Sequence, residues 1–212
     1  MALNEAILRF DGMFASGRQM TLHKSDRPES ETEPLKQAYV RRGPLNRLMV
    51  RVFQFLAISL PGSQGLRVRL HRARGVKLGK NVFISLNVTL ETEYPELIAI
   101  GDDTVLGIGV TVIAHFKEKR RGVRVGKECF IGPGSIILPD VQIGDGAVVT
   151  AGSVVTSSVP PMVVVQGNPA VPVARCGIPL GPETSLRDFS RRLKPFPGNA
   201  SNVHTTAEPQ SK

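Results

Sequence analysis

His115 is the side chain in this 212-residue sequence best placed to do chemistry. Histidines stand at 23, 71, 115 and 204, and His115 alone lies inside the repetitive stretch described below, in the run VTVIAHF at 110–116. A neutral imidazole accepts a proton near neutral pH without a large shift, which makes His115 a candidate general base. Two acids recur at related positions, Glu93 before it and Asp140 after it, and either is placed to orient the ring. The adjoining run KEKRRGVR at 117–124 holds five basic residues against one acid, suited to an anionic ligand or simply to solvent. Cys129 and Cys176 have no CxxC spacing and cannot build a disulfide framework, so a reducing compartment is expected.

What must position His115 is a repeat of six. Aliphatic residues fall at Leu78, Ile84, Leu90, then Ile100, Leu106, Val112, then Val125, Ile131, Ile137, Ile143, Val149 and Val155. The position four later is mostly small, from Val82 and Val88 to Ser153 and Val159, with Tyr94 and Phe116 as the large exceptions. A hexad period excludes helix and marks a parallel β-helix, in which short strands alternate with turns and the aliphatics stack inside. Three hexads close one coil, so 78–160 predicts about four coils. The interruptions at 96–99 and 118–124 both follow a third hexad and should leave the prism at one corner. A lone histidine is usually structural, but His115 falls on that corner rather than in the aliphatic column. Its register stacks Glu93, His115, Asp140 and Ser158 in a ladder with steps of about 4.8 Å.

Because each coil contacts only its neighbours, the open ends need caps, and 41–77 and 161–194 are the candidates. The chain carries 27 basic and 18 acidic residues, net +9, concentrated in the flanks. Between Arg41 and Lys77 there are nine Lys or Arg and no acid, a composition that favours an anionic partner or a solvated basic arm. Residues 45–60 read as a short helix ending at Pro61-Gly62, expected to cap the coil end, with contact to a membrane surface as the alternative. Residues 1–40 and 195–212 are polar, rich in proline and aperiodic, hence expected to be disordered. No stretch has the pattern of a secretory signal or the length of a membrane span. A cytoplasmic protein follows, with the inner membrane face as a further possibility.

The repeats, the 110–116 run, IGDGAVVTAGSVVT at 143–156 and VPPMVVVQGNPA at 159–170 resemble the hexapeptide-repeat acyltransferases, above all the sugar and polysaccharide O-acetyltransferases. The basic stretch leading into GVKLGKN at 75–81 is similar to the envelope-polysaccharide members. The resemblance covers about 78–175. It implies a left-handed β-helix with an N-terminal helical cap and a C-terminal extension, acetyl-CoA or another acyl-CoA as co-substrate, no metal, and a homotrimer with active sites between subunits. By the same resemblance His115 is the general base for direct transfer to a hydroxyl, and Glu93 or Asp140 orients it. The coenzyme groove would use Gly132, Pro133, Ala151, Gly152 and Thr156, with Arg175 near the phosphates, because Val171 stands where many relatives have lysine. Acceptor contacts would come from Ser85, where sugar-specific relatives have asparagine, and from Asn87.

Other functions on this fold fit less well. A carbonic anhydrase needs three zinc-binding histidines and the repeat has one. Serine acetyltransferases carry a long helical N-terminal domain that is missing here. A non-catalytic binding β-helix remains the alternative, although nucleic acid is an unsuitable partner for a chain with 5% aromatics and no tryptophan to stack on bases.

Overall fold

All twelve hexad aliphatics fall in short parallel strands in the computed structural model, which describes residues 43–197 except 117, 118 and 121. The compact unit ends at Lys194. The segment 1–40 and most of 195–212 lie outside the described residues. The first face stacks Lys77–Leu78, Ile98–Ile100, Val123–Val125 and Gln142–Ile143. The second stacks Phe83–Ile84, Val105–Leu106, Phe130–Ile131 and Val148–Val149, and the third Thr89–Leu90, Thr111–Val112, Ile136–Ile137 and Val154–Val155. In-register pairing of Leu90 with Val112, Val112 with Ile137 and Ile137 with Val155 forms one such column. Eleven of the twelve aliphatics are buried; Leu78, in the end coil, is half-buried.

Corners separate the faces. At the second corner Asn87, Gly109, Gly134 and Gly152 share left-handed backbone (φ 57°, 71°, 68° and 69°), which glycine adopts at no steric cost and asparagine tolerates. The corners also set how closely coils approach. A Cβ on Gly132 would lie 2.5 Å from the Ala151 nitrogen and 2.7 Å from the Val149 oxygen, both main-chain atoms. Both insertions leave from the third corner. The first forms a short 3-10 turn, Pro95–Leu97, and the second opens as an antiparallel pair, His115–Phe116 with Lys119–Arg120.

Two helices close the start of the solenoid: α1, Pro44–Ser59, and α2, Leu66–Ala73. The strand N–H groups of the first coil donate to the second, as Phe83 does to Thr104 and Thr89 to Val110, leaving first-coil carbonyls facing the open end. The caps supply the donors. Gln54 in α1 reaches the Val88 oxygen, Arg67 in α2 the Ile84 oxygen, and Arg74 just after α2 the oxygens of Leu90 and Glu91. Two of the basic residues expected to face an anionic partner are thus buried, because a guanidinium offers several donors to a coil edge that has no next coil. Between them lies His71, fully buried, whose pKa is pushed down to about 3 by burial and then by the charges of Arg74 and Arg67. Its ring is neutral, and neither ring nitrogen has a hydrogen-bond partner among the described residues.

Arg74→Met should therefore cost about 2–4 kcal/mol, since two buried carbonyls lose their donor. The exposed Arg69→Met should change stability by less than about 0.5 kcal/mol. Thermal unfolding of the two variants distinguishes a built-in cap from a general basic arm; equal shifts would contradict the capping role.

The other end is closed by a return. Val163–Gly167 continues the second face and pairs antiparallel with Ala170–Arg175. Val148, Val164, Val173, Ala174, Cys176 and Leu180 pack there with Phe189 from α3, Leu186–Arg191.

Candidate active site

The third corner hydrogen-bonds His115 to a carboxylate, and that carboxylate belongs to neither acid expected from the ladder. The Nδ1 atom of His115 lies 2.7 Å from Oε2 of Glu91. Glu91 follows Leu90 directly and is buried, and its carboxylate also accepts from the main-chain N–H groups of Glu93 (2.9 Å) and Ala114 (3.0 Å). Burial alone would raise its pKa, yet the bonds from His115, Glu93 and Ala114 outweigh it and hold the carboxyl below its ordinary value. An ionised Glu91 accepts the proton on Nδ1, which leaves the Nε2 lone pair unprotonated and able to take a proton.

Glu93 is displaced from the orienting role by this geometry. Its side chain is exposed, with Oε2 3.9 Å from Nε2, so it flanks the reactive nitrogen instead of holding the ring. Asp140 is exposed in a left-handed turn (φ 69°). The rung bond from Ile113 to the Ile137 oxygen comes just before the chain turns into the hairpin, which carries His115 out of the ladder's simple register. The Tyr94 ring packs edge-on against the imidazole, centroids 5.2 Å apart at 78°. Glu91 and Tyr94 were both missed. Glu91 had a signal, being the single charged residue among the twelve that directly follow the hexad aliphatics.

The remaining expected positions lie elsewhere on the chain. Ser85 and Asn87 occupy the second corner, separated from His115 by the third face; the Asn87 N–H bonds to the Ile58 oxygen of α1. Pro133, Ala151 and Gly152 are exposed at the same corner, where the Gly152 N–H meets the Pro133 oxygen at 2.8 Å. Gly132 is buried beneath them, and Thr156 is exposed on the third corner. Arg175 is not gathered with these residues. It pairs with Val163, at the far end of the return strand from Ala170 and the second corner, because the hairpin reverses the chain.

Neither cysteine offers an alternative nucleophile. Burial pushes the Cys129 thiol up to about 12 and that of Cys176 to about 11, so both are protonated at neutral pH.

Comparison with known proteins places this architecture. Residues 122–157 match the bacterial transferase hexapeptide (six repeats) pattern. A candidate acetyltransferase of Bacillus subtilis is 43% identical over 98 residues, covering 44% of this chain and 57% of that protein. A candidate colanic acid biosynthesis acetyltransferase of Escherichia coli is 31% identical over 133 residues, covering 50% of this chain and 72% of that protein. Against several other curated relatives the chain spans only about half of their length. Among solved structures, a hexapeptide-repeat-containing acetyltransferase of Vibrio cholerae complexed with acetyl coenzyme A superposes with a TM-score of 0.52 at 23% identity, covering 62% of this chain and 87% of that one. That likeness is one of fold, the left-handed parallel β-helix. With its repeat, its three-faced solenoid and these relatives, the chain belongs to the hexapeptide-repeat acetyltransferase family.

Proposed function

We propose that the protein transfers an acetyl group from acetyl coenzyme A to a hydroxyl of a sugar or glycan precursor. The observation that carries this reading is the His115 imidazole at a solenoid corner, its Nδ1 held by buried Glu91 and its Nε2 directed away from that anchor. His115 removes the proton of the acceptor hydroxyl as its oxygen attacks the thioester carbonyl. Glu91 stabilises the imidazolium that forms. Collapse of the tetrahedral intermediate breaks the C–S bond, forms the ester and releases coenzyme A, whose sulfur takes the proton back from His115. No acyl-enzyme is required, in keeping with two buried, protonated cysteines. A glycan acceptor is favoured by the Escherichia coli relative named for colanic acid biosynthesis and by a second Escherichia coli relative, galactoside O-acetyltransferase, 31% identical over 105 residues. Acetyl coenzyme A as co-substrate points to action in the cytoplasm.

The site is shared between copies. His115 stands at the third corner, whereas Ser85, Asn87, Pro133, Ala151 and Gly152 stand at the second, so one prism presents only half of each groove. Leu86 and Ile108 are exposed on that second corner, one coil apart, and Ile136 lies just beyond it, an apolar strip suited to a neighbouring prism. A homotrimer completes three such grooves. Calorimetric titration with acetyl coenzyme A, with the mass followed by light scattering, tests this. One saturable site per chain at a mass three times that of the chain is expected. A monomer, or no binding at millimolar ligand, would overturn the reading.

A further inference from the structure

The helix α1 is apolar on two opposite sides, and the coil explains only one. Val50 and Ala57 are buried, and the bond from Gln54 to the Val88 oxygen fixes the inner side on the first coil. On the other side Leu45 (72% exposed), Leu48, Met49, Val52 and Phe55 (71% exposed) face outward. At about 100° per residue these five fall within a sector of roughly 120°, opposite the buried one. A helix apolar all round is ordinarily covered all round.

We propose that this outer face of α1 docks on an anionic lipid bilayer. Charge selects that occupant. The exposed Arg51 borders the apolar sector, Arg69 is exposed on α2, and no acidic residue occurs between Arg41 and Lys77. Such a surface is attracted to acidic headgroups while its apolar side chains enter the boundary with the acyl chains. A second copy is disfavoured, since self-pairing about a twofold axis would set the same arginines against each other. The helix lies in the plane of the surface. At 16 residues it is roughly 24 Å long, short of a bilayer core of about 30 Å, and no helix among the described residues is long and apolar enough to cross a membrane.

The test uses the full chain and vesicles of phosphatidylcholine, with and without about one third phosphatidylglycerol. The wild type should sediment with the anionic vesicles, and raising the salt to about 1 M, where the screening length falls to roughly 3 Å, should weaken the binding. The Leu48→Gln/Phe55→Gln variant should partition at least tenfold less with an unchanged melting temperature, because both side chains are exposed. A second reporter does not depend on loss of binding. The chain has no tryptophan, so Phe55→Trp introduces a single indole whose emission should be that of a water-exposed group in buffer and shift to the blue on anionic vesicles. A wild type that stays in the supernatant, or equal sedimentation of the double variant, overturns the proposal. So does an indole already shielded in buffer, which would mean that another part of the protein or a second copy covers the face.

Discussion

Replacing His115 with alanine is expected to lower kcat by about 10²-fold or more, the scale on which a positioned general base acts. Acetyl coenzyme A affinity should stay within about twofold, because the imidazole addresses the acceptor hydroxyl and not the phosphates or the pantetheine arm. The melting temperature should fall little. The side chain is 28% exposed at a corner and contributes no volume to the aliphatic column. These three readouts move differently for a structural residue, whose loss would lower melting temperature and activity together. Glu91 would be left with its two main-chain donors, so the buried carboxylate keeps partners after the imidazole is gone.

The second large effect concerns Glu91, a positioning residue that acts through His115. Glu91→Gln retains the shape and one acceptor but removes the charge that balances the imidazolium, and its amide can also hold the ring in the wrong tautomer. A loss in kcat of about 10²-fold is expected, with the affinity for acetyl coenzyme A unchanged. Glu91→Leu should lose as much activity and also unfold earlier, since the N–H groups of Glu93 and Ala114 then lack an acceptor. Comparing the two variants separates the catalytic from the structural share. A Glu91→Gln variant with the wild-type rate would show that the imidazole needs no such anchor. In the wild type the depressed carboxyl stabilises the fold above the ordinary carboxylate pKa, and that contribution is lost as pH falls through the lower folded value.

The solenoid was legible because its determinants are one-dimensional. The interior column needs an aliphatic side chain at every sixth position, and all twelve found in the sequence lie in the strands that stack. The exit of both insertions at one corner followed from counting hexads. The cap was legible as a helix but not in its mechanism. Arg67, His71 and Arg74 are spaced four and three apart, one side of a helix, yet an arginine reads from sequence as surface charge. Only the open coil edge, with carbonyls lacking donors, makes burying two guanidinium groups favourable. The place of His115 on the corner was legible. Its partner was not, because the ladder argument assumes that residues in register meet, and the hairpin at 115–120 breaks that assumption. The buried Glu91 reaches the ring from the previous coil. Arg175 lies apart from the other expected groove positions for a related reason, since proximity to the Gly-Asn-Pro-Ala exit in sequence becomes distance once the return strand runs back along the second face.

Release of coenzyme A thiol from acetyl coenzyme A tests the central claim most directly, measured with the full chain over nucleotide sugars, simple sugars and capsular or exopolysaccharide fragments. The account predicts release that depends on a hydroxyl acceptor, appears together with an acetyl ester on that acceptor, and is at least 10²-fold slower in His115→Ala. Release from an acceptor at an undiminished rate in His115→Ala would contradict it. So would tight binding of acetyl coenzyme A with no transfer to any acceptor in the panel.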